Sequence, residues 1–223
     1  MMISPPTTII ELKERAKQIA GLTIGELADQ HQAHIPTDLK REKGWQGQFI
    51  ESCLGADAGN LSEPDFSKIG VELKTLPIDF SGRVQESTYI SVVNINNHQG
   101  LTWENCATKH KLSHVLWVPI ARIKDQPLEN SRIATPFLWQ PNQHEASQLK
   151  QDWEEVMDLI VLGQYGQLNA KMGEILQVRP KAANSRVLTD ATDSEGNYSQ
   201  TLPRGFYMRP QFTQSLLDQY LTR

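Results

Sequence analysis

The 223-residue chain has only two cysteines, Cys53 and Cys106. That is too few for a disulfide framework and suits a reducing cytoplasm. No stretch approaches the roughly 20 apolar residues of a membrane-spanning helix. The opening residues, Met1-Met2-Ile3-Ser4-Pro5-Pro6, offer neither the basic start nor the apolar run of a secretory signal, so the expectation is a soluble, cytoplasmic protein without membrane contact. There is no Gly-rich loop closing on Gly-Lys-Ser/Thr and no dinucleotide fingerprint, which removes the common nucleotide-binding readings. No nucleophile elbow stands out either. Positive charge is also scarce: the formal net charge of −4 argues against a surface that holds nucleic acid by bulk electrostatics. The imbalance is uneven, since seven Lys and Arg face five Asp and Glu from Lys171 onward. Nucleic-acid contacts are therefore expected in that third and at isolated bases elsewhere.

What is present centres on Asp65-Phe66-Ser67-Lys68-Ile69-Gly70-Val71-Glu72-Leu73-Lys74. With the two-residue period of a strand, Val71 and Leu73 share one face and Glu72 and Lys74 the other. If a turn at Gly70 folds Asp65 back beside Glu72, two carboxylates and an ammonium meet. Hard oxygen ligands of this kind suit Mg²⁺, and a cation beside them completes a set fit for metal-assisted phosphodiester hydrolysis. Chance alone places this spacing in roughly 5% of chains this long, so the competing reading is an amphipathic edge strand with a solvated charged face.

The flanking sequence supplies a scaffold. Ile9, Leu12, Ala16 and Ile19 fall at helical spacing after Thr7 or Thr8, with Gly21 as a stop. Thr23-Ile24-Gly25-Glu26 reads as a capping box, and a third helix is expected over about Gln46 to Leu54, carrying Glu51. Strands are expected from Asp65 to Ile78, as a neighbour from Ser87 to Ile95, and through the apolar run Val115 to Ile120, which reads as central in the sheet. Arg132 to Trp139 offers another. Leu149, Trp153, Val156, Met157, Ile160 and Val161 mark a long amphipathic helix over about Ala146 to Leu162, whose acids Asp152, Glu154, Glu155 and Asp158 read as solvated. Ile175 to Val178 reads as a short strand, Arg179-Pro180-Lys181 as a rigid basic turn, Leu188 to Gln200 as a polar hairpin or loop, and Thr213 to Leu221 as a last helix. The result is an α/β fold of α+β type, a mixed sheet flanked by helices.

Outside the acidic stretch the signals are weaker. Cys106, His110 and His114 would line one helix face, but a fourth zinc ligand is missing and Lys109 and Lys111 would repel the ion. In Arg179-Pro180-Lys181 the proline stiffens the backbone between two bases, and an arginine held this way can bind guanine O6 and N7 together. Tyr207 reads as a core or cleft aromatic, or as one that touches a base or methyl group.

Taken together, Lys43-Gly44-Trp45, Asp65 to Thr75, Lys109-His110-Lys111-Leu112, Asp152-Trp153-Glu154-Glu155, Arg179-Pro180-Lys181-Ala182-Ala183-Asn184 and Leu202-Pro203-Arg204-Gly205-Phe206-Tyr207 resemble the MutH family of DNA mismatch repair endonucleases, in family order and near family spacing. The resemblance implies a type II restriction endonuclease-like fold, one domain with two lobes around a DNA cleft. It further implies Mg²⁺-dependent nicking of the unmethylated strand of hemimethylated GATC, 5′ to the G, with Mn²⁺ as a substitute. The enzyme would act as a monomer activated by MutL, with MutS upstream. By position, Asp65, Glu72 and Lys74 match the catalytic residues, Glu51 an additional acid and Lys111 a lysine near the scissile phosphate. The metal set is Asp65, Glu72, the Leu73 carbonyl and Glu51. Arg179, Pro180 and Lys181 match the DNA-reading turn and Tyr207 the methylation-sensing tyrosine, while Lys43 and Arg204 lie in matched segments as further DNA contacts. Two other readings stand beside this one: a restriction enzyme of the same fold that cuts both strands of GATC, and a non-catalytic DNA-binding module.

Overall fold

Seven consecutive buried residues, Val115–Ala121, form strand β3, and one of the protein's sheets is built outward from it. The computed structural model describes residues 3–37, 44–59, 63–123, 125–182 and 186–221. The chain forms two units, one of Met1–Glu86, Ser113–Gln140 and Gln214–Arg223, the other of Ser87–Leu112 and Pro141–Thr213. Among the described residues no helix is long and apolar enough to cross a membrane.

In the first unit β3 pairs in parallel with β1 (Glu72–Ile78), and antiparallel with β4 (Arg132–Ile133) and β5 (Phe137–Trp139). The sheet is mixed, as expected, and β3 is its centre, which explains why neither of its faces is polar. Three helices belong to the same unit: α1 (Ile9–Ile19), α2 (Ile24–His31) and α3 (Trp45–Leu54). The Thr8 hydroxyl caps α1 by accepting from the Glu11 N–H at 3.1 Å. At α2 the capping box forms in full: Thr23 Oγ1 accepts from Glu26 N–H at 3.1 Å and the Thr23 N–H donates to Glu26 Oε2 at 2.7 Å. Leu12, Ile24, Leu27, Ile50, Leu54, Phe66, Leu73 and Val118 make one buried cluster, each large side chain contributing about 1.5–3 kcal/mol by leaving water. Arg15 ties α1 to α3, its Nη1 donating to the Leu54 carbonyl at 2.9 Å.

The second unit contains an antiparallel sheet in the order β2 (Thr88–Val92), β9 (Arg204–Met208), β6 (Leu176–Pro180). With it are the hairpin of β7 (Thr189–Thr192) and β8 (Tyr198–Thr201), and the helices α4 (Ala107–Leu112) and α5 (Gln143–Val161). The last helix, α6 (Pro210–Leu221), begins at the end of this unit and runs into the final segment of the first.

Several expectations are corrected here. β2 does not adjoin β1 but pairs with β9 in a separate sheet; period-two alternation identifies a strand without naming its partner. Arg132 to Trp139 is two short strands. α5 starts at Gln143 rather than near Ala146, because Asn142 and Glu145 form a capping box ahead of the apolar stripe, and Val161 at its end is 62% exposed. Arg179 and Pro180 are not a turn. They end β6, opposite Gly205 and Arg204, and the ladder continues through a bond from Lys181 N–H to the Pro203 carbonyl at 2.7 Å. β6 is an outer strand, where a proline without an N–H is tolerated.

Asp152 is the largest departure. Rather than facing solvent it is 2% exposed, and its carboxylate accepts from the N–H groups of Glu174 (3.0 Å), Ile175 (2.7 Å) and Leu176 (2.8 Å) and from Gln148 Nε2 (2.8 Å). One side chain of α5 thereby fixes the start of β6.

Candidate active site and nucleic-acid-reading face

Asp65 reaches β1 because the chain between them is folded tightly. Phe66 is 1% exposed and pairs with Val71 through N–H to O bonds of 2.9 and 3.3 Å in the two directions. Ser67–Ile69 make a single 3₁₀ turn, and Gly70 closes it at φ +64°, a left-handed conformation that glycine adopts without penalty. The Asp65 Oδ2 then accepts the Leu73 N–H at 2.8 Å. The turn expected at Gly70 is present, and it sets the Asp65 carboxylate against the main chain beside Glu72.

Glu72 is fully buried at 0% exposure, which overturns the solvated-edge reading, although β1 is an outer strand. A buried carboxylate is costly unless a cation and hydrogen bonds compensate it. Lys74 provides the cation and one of those bonds, its Nζ lying 2.5 Å from Glu72 Oε1, and the same Nζ donates to the Leu73 carbonyl at 3.2 Å. Asp65, Glu72, the Leu73 carbonyl and Lys74 are thus gathered at the start of β1. The donors are all hard oxygens, and two of them already face an ammonium; this set fits a divalent ion such as Mg²⁺. Glu51 is half-buried on α3, a helix that packs on β1. Among the described residues no group of three His, Cys, Asp or Glu side chains that could hold a metal ion is present. Lys43 lies outside the described residues.

The remaining candidates belong to the second unit. Lys111 is half-buried on α4. That helix ends at Leu112, so Cys106, His110 and His114 do not share a continuous helical face. On the three-stranded sheet, Tyr207 on β9 sits opposite Tyr89 on β2, their rings 5.4 Å apart and edge-on. A cation stands at each ring: the Arg179 guanidinium 5.8 Å from the Tyr207 centroid and the Lys181 ammonium 3.4 Å from that of Tyr89. Such contacts contribute about 0.5–2 kcal/mol each. Arg179 Nη1 also donates to Ser87 Oγ at 2.6 Å. Burial raises the Tyr207 phenol above its ordinary pKa, with Tyr89 adding to the rise and Arg179 opposing it, and burial lowers the Lys181 ammonium. Gly205 is the floor beneath the rings, since a Cβ there would lie 2.9 Å from Tyr89 Cε2 and 3.2 Å from Tyr207 Cε2. Arg204 differs from its neighbours. Its guanidinium turns into the protein, donating to the carbonyls of Tyr165 (3.2 Å) and Leu168 (3.4 Å), and burial lowers its pKa.

Arg179, Lys181 and Tyr207 are therefore brought onto one face, together with Tyr89, Ser87 and Gly205, which the sequence reading did not single out. A glycine inside a strand pattern was the available signal, because it marks a close approach. Tyr89 becomes visible only once β2 is paired with β9.

The chain matches the family described as DNA mismatch repair enzyme MutH over residues 54–152. It is 52% identical to the DNA mismatch repair protein MutH of Shewanella woodyi over 213 residues, 96% of this chain and 92% of that protein. It is 50% identical to the protein of the same name from Vibrio campbellii over 95% of this chain and 94% of that one. Against the Haemophilus influenzae MutH protein the identity is 49%, over 97% of both.

Proposed function

Because the chain belongs to the MutH family of DNA mismatch repair enzymes, we propose that it is a Mg²⁺-dependent endonuclease that nicks the unmethylated strand of hemimethylated GATC, 5′ to the G. The observation that supports this reading most directly is at β1, where the Asp65 carboxylate is held on the Leu73 N–H and Lys74 bridges Glu72 and the Leu73 carbonyl.

Asp65, Glu72 and the Leu73 carbonyl would hold the ion, with Glu51 as a further carboxylate. Once bound, it would supply Lewis-acid stabilisation of charge on the phosphate and activation of water. Glu72, buried and paired, fixes the Lys74 ammonium where it can orient the attacking water by donating a hydrogen bond to it. Lys111 is the second cation, proposed to lie near the scissile phosphate. Sequence is read elsewhere: Arg179 presents a planar fork that suits guanine O6 and N7, Lys181 and Lys43 contact the backbone, and Tyr207 senses the adenine methyl group by packing. MutL is the proposed activator and the protein acts as a monomer.

Plasmid nicking tests this. Asp65→Ala and Glu72→Ala should abolish Mg²⁺-dependent nicking of GATC DNA, whereas Lys74→Ala should lose nicking but keep DNA binding. Near-normal activity of either carboxylate variant would sink the assignment. A linear rather than nicked product on unmethylated plasmid, at low enzyme, would point to double-strand cutting. Arg179→Ala should lose about 1–3 kcal/mol of discrimination between GATC and a changed site; equal losses on both would make it a phosphate contact.

A further inference from the structure

We infer that Asp57, a residue with no part in the reading above, is a positioning residue for the Asp65 carboxylate and so for divalent-cation affinity; the inference rests on Asp65 being a ligand. Asp57 lies three residues past the end of α3. Its Oδ1 accepts the Ser67 N–H at 2.8 Å and its Oδ2 the Ser67 hydroxyl at 2.9 Å. In the opposite direction the N–H groups of Asp57 and Ala58 both donate to the Asp65 carbonyl, at 2.9 and 3.2 Å. Four bonds therefore join residues 57–58 to 65–67, two of them on Asp65 itself and two on a residue two positions later.

The consequence follows from where Asp65 stands. Beyond it, buried Phe66 is pinned to Val71, and the Asp65 carboxylate itself accepts the Leu73 N–H. The Asp57 clamp holds the other side, so the backbone at Asp65 is fixed from both directions. A metal ligand must be held to within about 0.5 Å to be useful, and groups that orient ligands commonly contribute 10–100-fold in metal affinity. Asp57 and Ser67 are both exposed, and water can replace their bonds in a loosened loop. Loss of the two side-chain bonds to Ser67, with the two main-chain bonds to the Asp65 carbonyl kept, should thus be felt as looser placement of Asp65 far more than as unfolding.

The test measures Mn²⁺ binding to the full chain by electron paramagnetic resonance, alongside the Mg²⁺ dependence of nicking. The proteins are wild type, Asp57→Ala, Asp57→Asn, Ser67→Ala and Asp65→Ala. Asp57→Ala is expected to weaken Mn²⁺ binding about 10-fold and to raise the Mg²⁺ needed for half-maximal nicking by a similar factor, with a smaller fall in the rate at saturating Mg²⁺. Ser67→Ala should shift affinity in the same direction by less, and Asp57→Asn should lie between Asp57→Ala and wild type because a carboxamide oxygen can still accept. The unfolding midpoint of each should move by less than about 4 °C. Unchanged Mn²⁺ affinity in Asp57→Ala overturns the inference. So does an Asp57→Asn as weak as Asp57→Ala combined with a silent Ser67→Ala, a pattern that would mean a direct charge effect. If Asp65→Ala itself binds Mn²⁺ normally, the ligand reading fails; if Asp65→Ala loses binding and Asp57→Ala does not, only the positioning role fails.

Discussion

Gly205→Ala adds one methyl group at the floor of the tyrosine face, and two effects of opposite sign compete there. Alanine in a strand is normally the better residue by about 0.5–1 kcal/mol, through chain entropy. Against this, the new Cβ would stand 2.9 Å from Tyr89 Cε2, 3.2 Å from Tyr207 Cε2 and 3.2 Å from the Ser91 carbonyl, inside the ~3.5–4.0 Å separation at which carbon contacts are favourable. The Ser91 carbonyl is main chain beside the β2–β9 ladder. The Tyr89 ring is held between Tyr207 and Lys181. Neither can yield freely, and overpacking of this kind costs about 1–3 kcal/mol. The repulsion should win by about 1–2 kcal/mol, lowering the unfolding midpoint by about 3–6 °C at this chain length. Displacement of the rings should also blunt the ratio of nicking on hemimethylated against fully methylated GATC, while affinity for DNA lacking GATC stays near wild type. Urea denaturation and plasmid nicking measure both, and repeating Gly205→Ala in a Tyr89→Ala background isolates the ring: the cost should shrink there to the part left by the Ser91 carbonyl and the Tyr207 ring. A Gly205→Ala protein as stable as wild type, or one whose cost is the same without the Tyr89 ring, would refute the reasoning.

Asp152→Ala would strand the N–H groups of Ile175 and Leu176, both buried, and that of Glu174. At about 1–3 kcal/mol for each buried unmet donor, a loss of about 3–5 kcal/mol is expected in urea, and a change below about 1 kcal/mol would contradict the assigned role. Burial pushes the Cys53 thiol up to about 11 from 9.0, so its neutral form is favoured in the folded state. That contribution is complete below pH 9 and is lost as pH rises toward 11, because unfolded chains ionise first. Cys53→Ala should flatten this alkaline decline, and identical pH profiles would count against it. Arg204, with its guanidinium on two carbonyls, should behave as a structural residue. Arg204→Ala is expected to lower stability and leave the salt dependence of DNA binding nearly unchanged, whereas a fall of about one unit in the slope would place it on a phosphate.

Local chemistry made much of the molecule readable in advance. Thr8 and Thr23 cap helices because hydroxyls satisfy first-turn N–H groups wherever they occur. β3 is central because an unbroken apolar run tolerates no wet face, and Gly70 turns because few residues other than glycine enter the left-handed region. The motif from Asp65 to Lys74 was legible for the same reason: its members are neighbours along the chain. Three things were decided only by packing between distant segments. Asp152 has the sequence context of a surface acid, and nothing in α5 announces that the start of β6 will bring three N–H groups to it. Pro180 ends an outer strand rather than forming a turn, which depends on β9 lying alongside. Tyr89 and Tyr207, more than a hundred residues apart, share a face solely through the β2–β9 register, and Gly205 matters only because both rings lie over it. Sequence period determines which residues can face inward or outward; which surfaces then meet is set by hydrogen-bond partners and close contacts that exist only once the chain has folded.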